Sequence, residues 1–87
     1  MNSETMKKTL EALRQELARA SALDEKSRQR LRDIMRDAEG LGASATSAPQ
    51  TLHRHTLEEV AVGFEIEHPT LAGVLHELID LLAKAGL

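Results

Sequence analysis

Apolar residues recur at steps of three and four in four separate segments, and this spacing points the chain toward helices. Met6, Leu10, Leu13, Leu17 and Ala20 alternate steps of four and three, the narrow heptad seam of a coiled coil, with Glu, Lys, Arg and Gln elsewhere. Leu31, Ile34, Met35, Ala38 and Leu41 form a second stripe, and Leu57, Val60, Ala61 and Phe64 a third. The fourth is the broadest: Leu71, Val74, Leu75, Leu78, Leu81 and Leu82, with Ile79 on its flank. Strong helix formers dominate and β-branched residues are sparse, so propensity and pattern agree on an all-α fold.

Punctuation between the stripes sets the connectivity. Leu23-Asp24-Glu25 reads as a turn and a new start, with Asp24 capping the free amides of the second helix. Gly40-Leu41-Gly42 stops that helix. GASATSAPQT, from Gly42 to Thr51, is small, uncharged and proline-bearing, a linker or extended crossover. The third helix is expected from Thr51 or Leu52 to Phe64 or Glu65. Pro69 suits the first position of the fourth, and Gly86 stops it before Leu87. Short connections fold neighbouring helices back on one another. The expectation is therefore one domain over residues 1–87: a small four-helix arrangement of two antiparallel hairpins, 3–41 and 52–86, joined by linker 42–51.

An 87-residue chain is near the size at which a single core barely stabilises a fold, and such chains usually add disulfides, a structural metal or oligomerisation. Cys is absent, which excludes disulfides, thiolate metal sites and cysteine catalysis. Phe64 is the sole aromatic, so the core is aliphatic. Oligomerisation is the support that remains. The fourth stripe is wider than one neighbouring helix covers, and Leu71, Val74, Leu75, Leu78, Ile79 and Leu82 are the expected interface of a homo-oligomer, most simply a homodimer. Phe64, His68 and Pro69 are expected to form a structural joint. Phe64 plugs the space where the last two helices meet, and His68, held extended by the proline after it, occupies the cap. Gly63 and Gly73, each unfavourable inside a helix, suggest close backbone approach or surface tolerance.

LDEKSRQRLRDI and, after the linker, FEIEHPTLAGVLHELIDLLAKAGL resemble a family of short uncharacterised bacterial proteins, domain of unknown function 4404. The likeness lies in a Leu-Asp-x-x-Ser-Arg helix start, a Phe-Glu-x-x-His-Pro-x-Leu joint and a leucine-rich last helix. The joint is its most specific part. This chain ends Ala85-Gly86-Leu87 where Met-Gly-Ile is more usual. The resemblance implies a small helical protein and assigns no activity.

The residue patterns disfavour most chemistries. Glu65-x-x-His68 has the spacing of a di-iron ligand pair, but Pro69 ends the helix that would present it and the chain holds no second such pair. His53-x-His55 has no recognised ligand spacing, and His76-Glu77-x-x-Asp80 lacks the second histidine of a zincin helix. No metal or other cofactor is expected. Serines sit in the linker or at helix starts, and no glycine-rich phosphate loop occurs, so an enzyme is not expected. Arg28, Arg32 and Arg36 make a stripe that a nucleic acid's phosphates could follow, interrupted by Asp33 and Asp37. The net charge of −3 and the lack of stacking aromatics weigh against nucleic acid. Residues 1–42 carry nine Lys/Arg against eight Asp/Glu, whereas residues 43–87 carry two against six, so the halves suit each other or a second copy. With neither an apolar run of membrane-spanning length nor a secretory start, a cytoplasmic chain is expected. The function expected is non-catalytic: self-association, or binding of an unidentified protein. Nucleic-acid association through the arginine stripe is the alternative, and metal binding the lesser one.

Overall fold

A computed structural model describes residues 3–40 and 50–84 and contains four α-helices: α1 (Ser3–Arg19), α2 (Glu25–Gly40), α3 (Arg54–Phe64) and α4 (Pro69–Lys84). No strand occurs among the described residues. Leu41, most of the linker and the stop at Gly86 lie outside them.

The two hairpins form as the short connections require. α1 packs on α2, α3 packs on α4, and α4 also lies along α1. α2 and α3 hold their backbones apart and are joined through a short 3₁₀ turn, Gln50–Leu52. All four stripes meet in one aliphatic core, in which Leu13, Leu31, Ile34, Leu57, Leu75 and Leu78 have no exposed surface.

The breadth of α4 is used inside the chain. α3 covers one side of it and α1 the other. Leu71, Leu75, Leu78 and Leu82 are at most 3% exposed, Val74 is 9% exposed, and Ile79 packs half-buried at the edge of the same core. The surface expected to meet a second copy is thus already covered. Counting α4's hairpin neighbour alone omits α1, whose heptad seam supplies the second contact. Ala72, buried here, belongs to the same face.

Two starts show how local chemistry places the helices. The Ser27 N–H donates to Asp24 Oδ1 at 2.8 Å and the Arg28 N–H to the Asp24 carbonyl at 3.0 Å, making Asp24 the cap of α2. That hydrogen bond holds the Asp24 carboxyl below its usual pKa. The start of α3 differs from expectation. Leu52 belongs to the 3₁₀ turn, and α3 begins only after His53, whose backbone is extended at φ −66° and ψ 139°. Had the α-helix run unbroken from Thr51, its period would turn Leu52 away from the stripe of Leu57 and Ala61. The break at His53 lets Leu52 enter the core, where it is 2% exposed. A hydrogen bond from the Thr51 hydroxyl to Asp37 ties the turn to α2.

Candidate interaction surface

The expected joint is assembled by the chain reversal between α3 and α4. The His68 N–H donates to the Phe64 carbonyl at 2.8 Å, and the Ala72 N–H donates to the His68 carbonyl at 3.0 Å. His68 therefore closes one helix and opens the next, with Pro69 at the first position of α4. The buried Phe64 ring meets the His68 imidazole edge-on, centroids 5.9 Å apart at 73°. Glu65, beside Phe64, lies 3.8 Å from His76 Nε2 on α4. Among the described residues, no three His, Asp or Glu side chains are grouped closely enough to hold a metal ion.

The arginine stripe is divided among different tasks. Arg28 is half-buried and donates to the carbonyls of Leu17 and Ala20 at the end of α1. Arg36 lies 3.2 Å from Asp33 and 3.8 Å from Asp37 on its own helix. Arg32 alone of the three has no charged partner among the described residues. A phosphate-tracking row needs its cations free at once, and here two of three are engaged.

Gly63 and Gly73 make no close backbone approach within the chain. A Cβ built at either meets nothing within 4 Å. Within the chain, both positions have room for a side chain.

Among the described residues, the least covered large apolar side chains lie on the outer side of α3 and just beyond it. Val62 is 61% exposed and Ile66, in the turn just beyond the helix, 93% exposed. They sit four residues apart, with Gly63 between them. The sequence stripes pass over both, because neither falls on the Leu57–Ala61–Phe64 face. An apolar residue off the helical stripe was the available signal. Between this ridge and α2 runs an open groove. Its walls are mostly polar, with Lys26 and Arg30 of α2 across from Thr56 and Glu59 of α3, and Ile34, Val60 and Phe64 lie buried beneath them.

Charge around the ridge and groove is left over from the fold. Among the described residues, no Lys or Arg of α1 or α2 pairs with an acid of α3 or α4. Arg14 pairs with Glu11 and Glu39, Arg19 with Glu16, and Lys84 with Asp80, each within its own half. Glu59 pairs with His55 at 3.0 Å and Lys26 acts on the nearby Asp24 carboxylate, while Glu58 and Arg30 have no charged partner among the described residues.

A small all-α bundle with this joint defines the class of the chain. Domain of unknown function (DUF4404) matches residues 6–87, and the chain belongs to that family. No curated protein and no solved structure matches it. No described helix is long and apolar enough to cross a membrane.

Proposed function

We propose that this chain is a non-catalytic association module of the cytoplasm that presents the outer face of α3 to a protein partner. The observation that carries the reading is the exposure of Val62 and Ile66 on a chain whose four helical seams are already satisfied internally. Large apolar side chains exposed beside a groove with polar walls favour protein contact. The concavities beside α3 are open to solvent, which suits a docking face better than a site enclosing a small substrate. The nucleic-acid alternative is weakened by the engagement of Arg28 and Arg36.

Site-specific photo-crosslinking in cells tests the proposal. A photoreactive residue at Ile66 should give a reproducible protein adduct, and one at Lys7, exposed on α1, should not. Equal adducts at both positions, or none at Ile66, would sink it. Nucleic-acid adducts from position 32 would favour the arginine stripe instead.

A further inference from the structure

We infer that the partner of the α3 face is a second copy of this chain, docked so that the α3 ridge of each copy lies in the α2–α3 groove of the other. The inference rests on the association reading above and adds the partner's identity and the geometry. A ridge beside a groove on one face is self-complementary under a two-fold axis, because rotation sets each ridge over the other groove. Here the ridge carries Val62 and Ile66, and the groove is walled by Lys26, Arg30, Thr56 and Glu59 above the buried Val60 and Phe64. Gly63, which has open space around it, lets the incoming helix approach closely.

Charge selects a second copy over an unrelated partner. At 100° per residue, Glu58 stands on the side of α3 that faces away from α2. A two-fold axis parallel to α3 turns that side toward α2 of the other copy. The residues waiting on that rim are Lys26 and Arg30, the two α2 cations that line the groove. Glu58 and Arg30 have no charged partner among the described residues, and docking supplies each with the opposite sign. The mismatch between a cation-bearing first half and an acidic second half is thereby resolved between copies, since the fold does not resolve it within one.

Reciprocal charge reversal tests this on the full chain, with mass read by light scattering across a concentration series. The wild type is expected to move from the 9.6 kDa chain mass toward twice that value as concentration rises. Glu58→Lys alone and Arg30→Glu alone should each weaken the dimer about tenfold or more, because each places like charges opposite one another. Mixing the two single variants should restore dimerisation, since both ion pairs are rebuilt in the mixed dimer. Both residues are exposed, and circular dichroism should show unchanged helicity. A wild type that stays at the chain mass throughout would overturn the inference, as would a mixture no tighter than its components. A monomeric wild type that still gives Ile66 adducts with a different protein would overturn self-docking and spare the module reading. The absence of both self-association and adducts removes both.

Discussion

Arg28 Nη2 donates to the carbonyl oxygen of Ala20 at 2.9 Å, and its Nη1 to that of Leu17 at 3.3 Å, so one α2 side chain closes the C-terminal end of α1. The last carbonyls of a helix have no intrahelical donor, and a cation there also suits the helix dipole. Arg28→Ala is expected to lower stability by about 1 kcal/mol. Arg32→Ala, which removes an exposed side chain without a charged partner, should stay within about 0.5 kcal/mol. Urea unfolding of the two variants checks the contrast. Equal effects would show that the contacts of Arg28 contribute nothing.

Phe64 and His68 make the α3–α4 joint one packed unit. Phe64→Ala should cost about 3–5 kcal/mol, since it empties the space where the two helices meet. His68→Asn keeps a short polar residue ahead of Pro69 but loses the edge-on ring contact. It should cost about 0.5–1.5 kcal/mol, the usual range for an aromatic pair. Thermal unfolding monitored by circular dichroism measures both. A silent Phe64→Ala would mean that the joint does not organise the fold.

How far the sequence could be read follows the range of each interaction. The stripes of Leu10–Leu13–Leu17 and Leu57–Val60–Phe64 were legible because helical period alone decides which residues share a face. The Asp24 cap and the Pro69 start were legible because their partners lie within four residues. Contacts between distant segments were not. Nothing near Leu75 in the sequence says that α1 covers it, so α4 looked short of partners. Arg28 looked like one member of a stripe, because its acceptors lie eight and eleven residues away. Leu52 looked helical, and only its burial against the body of the chain shows why the helix breaks at His53.

Gly73 lies inside α4, exposed, and an added Cβ meets nothing within 4 Å. Gly73→Ala should therefore stabilise the chain by about 0.5–1 kcal/mol, by reducing the freedom of the unfolded chain. Gly63→Ala should stabilise the isolated chain similarly while weakening self-association, because its methyl group intrudes on the docking face. Denaturant midpoints and light scattering separate the two effects. Destabilisation by Gly73→Ala would contradict the open surroundings of that residue.

Asp24 gives the fold a dependence on acid. Its carboxyl is held below the usual carboxylate pKa, first by the hydrogen bond from the Ser27 N–H. A group whose pKa is depressed by folding adds stability above its unfolded pKa and loses it as pH falls through the folded one. The wild-type chain should thus lose its advantage over Asp24→Ala progressively below the ordinary carboxylate range, and the gap should be full at neutral pH. Melting temperatures of both proteins from pH 7 to about pH 2 follow the gap. A gap that stays constant with pH would show that the charged carboxylate is not the cap.

Contact with another molecule is proposed to run through the face of α3 and not through the leucine stripe of α4. A dilution series of amide and methyl NMR spectra on the full chain tests it most directly. Concentration-dependent shifts should be confined to Val62, Gly63, Ile66, Glu58 and the groove rim at Lys26 and Arg30. Leu75, Leu78 and Leu82, sealed by α1 and α3, should not move. Shifts centred on those three leucines, with the α3 face unchanged at every concentration, would contradict the claim.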